Sequence, residues 1–264
     1  MATMTSFSSI KAVLFDLDGV LYVGKQPIMG AIEAVKNIRN AGYACRFVTN
    51  TSTLSLASLQ HKLDALGFLV TQKEIMSAPQ AAVQYLQQQA TPICRLLLAD
   101  DVKQDFMHFP QSDTEANFIV VGDIGDAWNY QMLNEVFSCL MRGAKLIAIH
   151  KNRFWQTENG LQMDIGAFIA GLEYAASTQA MLIGKPSADF FNMALADLNL
   201  QPNEVLMVGD DIDSDIGGAQ ASGLRGVLVR TGKYRQAYTD KSVIKPDAVI
   251  DTVADLPALL ASTQ

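Results

Sequence analysis

Residues 11–19, KAVLFDLDG, run a short apolar stretch directly into two carboxylates, Asp16 and Asp18, separated by one leucine and followed by Gly19. An uninterrupted apolar run of this length, closed by turn residues, reads as a strand buried on both faces, as in a parallel sheet. The two carboxylates then fall at its carboxyl end. Like charges this close repel each other, so the pattern calls for a cation, a shared proton or open solvent.

Outward from that strand, a helical pattern AIEAVKNIRNAG (31–42) gives way to the strand-like YACRFVTN (43–50) and then to the helical LASLQHKLDALGF (56–68). Strands and helices alternating across short loops are the mark of βαβ units, so the fold class is α/β with a Rossmann-like parallel-sheet core. A second block begins near Ser77-Ala78-Pro79. It holds a helix AAVQYLQQQ, strands CRLLLAD and NFIVVGD, a helix YQMLNEVFSCLMRG, a strand KLIAIHK and a helix from Gly166 to Ala176. The first rhythm resumes with TQAMLIGKP, SADFFNMALADLNL, EVLMVGDD, DIGGAQASG and GVLVRTG. The expected organisation is a core of residues 1–77 and 178–264 with an inserted α/β domain over 78–177.

Of the 264 residues, 49% are hydrophobic and 18% charged, an ordinary globular balance that argues against disorder. A formal net charge of −7 argues against a nucleic-acid partner, which needs a basic face. Cys45, Cys94 and Cys139 form no CxxC pair, so neither a disulfide framework nor a zinc ribbon is expected, and a reducing cytoplasm fits. The opening MATMTSFSSI lacks a basic segment followed by an apolar one, and no apolar run approaches about 20 residues, so no leader and no membrane span are expected.

Ligands of an open parallel sheet bind beyond the carboxyl ends of its strands, so residues that directly follow apolar strands are collected first. Four sets stand there: Asp16 and Asp18 after VLF, Thr49 and Asn50 at the end of CRFV, Lys185 after MLIG, and Asp210 with Asp211 after VLMVG. Each alone has an ordinary explanation as a turn, a helix cap or a solvated loop. Together, in this order, they suit phosphoryl transfer through an aspartyl-phosphate, in which a carboxylate attacks phosphorus and water later removes the phosphoryl group. Asp16 would be the nucleophile and Asp18 the acid and base at the leaving oxygen and the attacking water. Mg2+ would be held by Asp16, Asp210 and the backbone carbonyl of Asp18, since that ion takes oxygen ligands. Lys185 would neutralise the transferring oxygens, while Thr49 and Asn50 would hold the phosphate by hydrogen bonds.

The stretches DLDGV (16–20), VTNTS (48–52), GKPS (184–187) and GDDIDSDIGGA (209–219) resemble, in order and spacing, the four motifs of the haloacid dehalogenase-like phosphatases. The likeness spans nearly the whole chain. The long insertion between VTN and GKP resembles the large α/β cap of the branch that includes nitrophenyl-phosphate, phosphoglycolate and pyridoxal-phosphate phosphatases. The resemblance implies the same roles for Asp16, Asp18, Thr49, Asn50, Lys185 and Asp210, and sets Asp211 and Asp215 behind the metal ligands. It implies a small phosphorylated metabolite as substrate, Mg2+ as cofactor and a homodimer formed through the cap. Relatives within the branch often carry Ser at the position of Asp18, so this chain keeps a proton shuttle suited to ordinary ester hydrolysis. Many members have an Asn-Pro-Asp loop where this chain reads His150-Lys151-Asn152-Arg153. From that loop Lys151, Asn152 and Arg153 are expected to face an anionic leaving group.

Three other readings of the pattern exist. A phospho-accepting signalling domain shares the strand-end Asp, Thr and Lys but is much shorter and needs no inserted domain. A phosphotransferase or mutase would pass the phosphoryl group to a hydroxyl instead of water, and a non-catalytic binding protein would keep only the fold. Asp123 and Asp126 in VVGDIGD are read as loop residues of the inserted domain. His61, His108 and His150 lack zinc-site spacing and are read as surface or packing residues.

Overall fold

All five residues of Ala12–Asp16 are buried, as the unbroken apolar run requires of a strand flanked on both sides and covered on both faces. The computed structural model describes residues 7–157 and 160–262; the first residues, MATMTS, read above for a leader, lie outside them. In chain order the strands are β1 (Ala12–Asp16), β2 (Tyr22–Val23), β3 (Gln26–Pro27), β4 (Ala44–Thr49), β5 (Ile75–Ser77), β6 (Cys94–Leu97), β7 (Phe118–Val121), β8 (Lys145–Ala148), β9 (Phe154–Thr157), β10 (Gly160–Met163), β11 (Met181–Leu182), β12 (Val205–Gly209), β13 (Arg225–Val229) and β14 (Ala248–Ile250). The helices are α1 (Ala31–Asn40), α2 (Leu56–Ala65), α3 (Ala78–Gln87), α4 (Asp100–Lys103), α5 (Tyr130–Met141), α6 (Gly166–Ala176), α7 (Ala188–Leu198), α8 (Gly218–Ala221), α9 (Gln236–Thr239) and α10 (Leu256–Ala261).

The chain divides into two compact units. The first comprises the chain up to Thr49, Gln60–Met76 and everything from Lys185 onward; the second comprises Asn50–Leu59 and Ser77–Gly184. The first unit is built on a six-stranded sheet of order β14-β13-β12-β1-β4-β5. The strands from β14 to β4 run parallel, with β1 central between β12 and β4. Phe15 of β1 stacks on Phe47 of β4 at 5.8 Å between ring centroids. Helix α1 buries Ala31, Ala34, Val35 and Ile38, the i, i+3, i+4, i+7 spacing of one helical face, and packs against α10.

The second unit has its own parallel sheet, of order β11-β8-β7-β6, and an antiparallel hairpin of β9 and β10. Its core gathers Ile119, Val121, Leu146, Val136 of α5 and Ile169 and Leu172 of α6. The start of α2 is held within this unit by two carboxylates. Asp101 accepts from the Ser55 N–H at 2.6 Å and the Ser58 hydroxyl at 3.0 Å, and Asp105 accepts from the Leu56 N–H at 3.0 Å. Negative groups there satisfy amides that the helix itself leaves open.

One strand departs from the sequence reading. MLIG was expected to resume the core sheet, but Met181–Leu182 pairs with Ile147 and Ala148 of β8 in the four-stranded sheet. A two-residue strand carries too short a pattern to reveal which sheet it joins. The unit boundary accordingly falls at 184/185, where the sequence reading drew it at 177/178, and residues 50–59 group with the second unit. Among the described residues no helix is long and apolar enough to cross a membrane.

Candidate active site

The register of the first sheet sets the site. Phe15 lies opposite Val208, so β1 and its parallel neighbour β12 deliver Asp16 and Asp210 to the same carboxyl edge. Both are buried, at 7% and 2% exposure. Beyond Asp210 the chain enters a turn at Ile212–Gly217, started by Asp211, whose carboxylate accepts the N–H groups of Asp213 and Ser214 at 3.0 Å each. That turn brings Asp215 back beneath the strand ends, where its Oδ2 accepts the Asp211 N–H at 3.1 Å.

Lys185 ties the cluster together. Its Nζ donates to Asp16 Oδ1 and to Asp215 Oδ1, both at 2.7 Å, and the lysine is 4% exposed. Burial opposes its charge, but the two carboxylates outweigh burial and hold its proton above the ordinary lysine range. It reaches them from the segment after β11, not from the end of a strand of the first sheet.

Carboxylate oxygens of Asp16, Asp210 and Asp215 lie within 4.8 Å of one another. Burial, then repulsion from Asp16, raises the proton affinity of both Asp210 and Asp215. Asp210 Oδ2 accepts the Lys233 N–H at 2.6 Å, whereas its Oδ1 is buried and has no hydrogen-bond partner among the described residues. A buried carboxylate oxygen left open, beside two further carboxylates and one lysine, fits a hard divalent cation such as Mg2+. The three carboxylates therefore include Asp215, which the sequence reading set behind the ligands. Asp18 is exposed, and its carboxylate, like that of Asp211, stands outside the trio. Partial desolvation raises its proton affinity, Lys62 lowers it and Asp16 raises it.

Thr49 closes β4 next to β1, with Asp16 paired to Val48, and is 3% exposed. Asn50 is half-buried and begins the next segment; a side chain at Gly184 would collide with its Oδ1. The expected cationic loop of the second unit behaves differently. Lys151 Nζ donates to both carboxylate oxygens of Glu173, at 3.0 and 2.8 Å, so its charge is already matched inside that unit. The carbonyl of Asn152 accepts the Gly166 N–H at 3.0 Å, and Arg153 is exposed. His150 is 6% exposed and lies 3.4 Å from the Ser52 hydroxyl, a packed position, while His61 and His108 are exposed. Asp123 accepts the Gly125 N–H at 2.8 Å, as a loop residue does.

The sequence reading passed over the loop Arg230–Tyr234 as a source of site residues. Thr231 donates its hydroxyl to the Gly19 carbonyl, Lys233 gives its N–H to Asp210, and the Lys233 ammonium stands 3.8 Å from Asp211 Oδ2. The signal was present, since RTG follows the apolar strand GVLV just as Asp16 follows VLF.

Comparison with known proteins agrees across the chain. A family model described as Haloacid dehalogenase-like hydrolase matches residues 13–108, and a second, HAD-hydrolase-like, matches 182–256. Haloacid dehalogenase-like hydrolase domain-containing protein 2 of Bos taurus is 41% identical over 239 residues, covering 90% of this chain and 91% of its own. Phospholysine phosphohistidine inorganic pyrophosphate phosphatase of Danio rerio is 37% identical over 259 residues, covering 96% and 95%. Among solved structures, p-nitrophenyl phosphatase from Archaeoglobus fulgidus superposes with a TM-score of 0.88 at 27% identity, covering 94% of this chain and 98% of that one.

Proposed function

The chain belongs to the haloacid dehalogenase-like hydrolase family, and from that premise we propose that it is a Mg2+-dependent phosphohydrolase of small phosphorylated metabolites acting through an aspartyl-phosphate. The observation that carries the reading is the buried trio Asp16, Asp210 and Asp215, the first and last of them bound by Lys185, with Asp210 Oδ1 left without a partner among the described residues. The names of relatives and structural neighbours, phosphatases in both comparisons, support it.

Asp16 is the nucleophile. With one oxygen fixed by Lys185, its other oxygen forms the bond to phosphorus as the bond from phosphorus to the leaving oxygen breaks. Asp18, whose partial burial favours the protonated form, gives its proton to that leaving oxygen. In the second half the carboxylate of Asp18 takes a proton from water, the water oxygen bonds to phosphorus, and phosphate departs from Asp16. Lys185 keeps Asp16 oriented throughout, and Thr49 and Asn50 hold the phosphoryl oxygens. Asp16, Asp210 and Asp215 would hold Mg2+, which when bound supplies the positive charge that lets an anionic nucleophile meet an anionic substrate. The second unit is the substrate-selecting cap, and the three buried free cysteines suit a reducing cytoplasm.

The test is phosphate release from nitrophenyl phosphate, pyrophosphate and a panel of phosphorylated metabolites, with Mg2+ and with chelator, for the wild type beside Asp16→Asn. Metal-dependent release that falls at least about 10³-fold in the variant is expected. Release that persists in Asp16→Asn overturns the mechanism.

A further inference from the structure

The sequence reading gave recognition of an anionic leaving group to Lys151, Asn152 and Arg153, but Glu173 holds Lys151 in two hydrogen bonds. The first unit supplies another cation. Lys62, two turns along α2, places its ammonium 4.2 Å from the centre of the Tyr22 ring. It is half-buried, and its Nζ makes no ion pair and no hydrogen bond among the described residues. An ammonium on an aromatic face keeps N–H donors available on the side away from the ring.

Its surroundings tell which way it serves. Tyr22 is 1% exposed and pairs with Asp18 through a backbone bridge, and the Tyr22 carbonyl accepts the Gly19 N–H at 2.7 Å. The ring under Lys62 is thus fastened to the turn that presents Asp18. Lys62 and Asp18 also feel each other's charge, each favouring the ionised form of the other. The other two lysines at the site face the buried carboxylates: Lys185 donates to Asp16 and Asp215, and Lys233 stands 3.8 Å from Asp211, its charge also reaching Asp18.

We propose that Lys62 selects substrates whose leaving group carries an anionic oxygen group, a carboxylate or a second phosphoryl, close to the scissile oxygen. This rests on the phosphohydrolase reading above, in which Asp18 meets the leaving oxygen; a cation beside Asp18 meets whatever is attached to it. Its role is selection, with the bond-making left to Asp16 and the proton to Asp18.

The experiment compares wild type, Lys62→Met and Lys62→Arg for kcat and KM on pyrophosphate, phosphoglycolate and uncharged-leaving-group phenyl phosphate, with Mg2+ present. In Lys62→Met the ratio of kcat/KM for each anionic substrate to that for phenyl phosphate falls at least about tenfold, chiefly through KM, as loss of a charge-assisted hydrogen bond demands. Lys62→Arg restores most of the ratio. A fall confined to pyrophosphate assigns the group as phosphoryl, and one confined to phosphoglycolate assigns it as carboxylate. An unchanged ratio, or equal loss on all three, overturns the proposal while leaving the phosphohydrolase reading intact. Wild-type protein that releases phosphate from none of them overturns both.

Discussion

Gly19 and Gly232 meet over the Asp210 carboxylate: a Cβ on Gly232 would lie 2.5 Å from the Gly19 Cα, and one on Gly19 would lie 2.7 Å from Asp210 Cγ. Both glycines also hold positive φ, 89° and 57°, which side chains resist. The loop that carries Gly232 therefore braces the Asp210 carboxylate by shape as well as by the Lys233 and Thr231 hydrogen bonds. Gly232→Ala should push the Asp210 carboxylate aside and raise the Mg2+ concentration for half-maximal activity at least about tenfold. A metal titration of turnover checks this, and an unchanged midpoint refutes it.

Asp210 sits against Asp16 and Asp215 with burial and repulsion both disfavouring its charge. On the proposed reading Mg2+ would relieve this repulsion, and saturating Mg2+ at about 100 times Kd should stabilise the wild type by about 2.7 kcal/mol. Asp210→Asn removes one of the repelling charges. Its melting temperature in chelator should equal or exceed that of the wild type, and the rise on adding Mg2+ should nearly vanish. Thermal melts in both conditions decide it.

Lys185 is buried and answers two carboxylates. Lys185→Met keeps its bulk but leaves Asp16 and Asp215 facing each other without a cation, and removing one partner of a buried ion pair costs about 3–5 kcal/mol. Urea unfolding in chelator should show that loss, and Mg2+ should recover part of it. A variant as stable as the wild type without metal would show that the lysine contributes only to turnover.

Cys94 in β6 is wholly buried, and burial alone pushes its thiol from 9.0 up to about 11. Its folded-state value lies above the unfolded one, so its contribution is complete below about pH 9 and is lost as pH rises toward 11. Unfolding midpoints at pH 8, 9.5 and 10.5 should fall more steeply for the wild type than for Cys94→Ala. Parallel slopes would contradict the assignment.

The α/β class and the residues at β1, β4 and β12 were legible because long apolar runs end abruptly in Asp, Thr-Asn and Gly-Asp-Asp, which periodicity and turn chemistry report directly. Lys185 was found for its chemistry but given the wrong sheet, since a strand of two residues has no period. Asp215 entered the buried cluster because the turn begun by Asp211 swings it back, a path set by backbone hydrogen bonds that spacing alone does not disclose. Lys151 looked like a substrate contact because its partner Glu173 lies 22 residues away on another element. The same holds for Lys62, a routine helical lysine until the Tyr22 ring is placed beneath it.

The central place of β1 has a consequence for biosynthesis. Its apolar edge pairs with β12, Ala12 opposite Val205, and Asp16 meets a lysine 169 residues later in the chain. At about 5–20 residues per second, a ribosome leaves that edge waiting roughly ten seconds or more for its neighbour. During that interval the nascent chain presents an unpaired apolar strand, the kind of segment chaperones shield. A chain cut short before Val205 would then be cleared as an aggregation hazard instead of lingering as a partly active fragment.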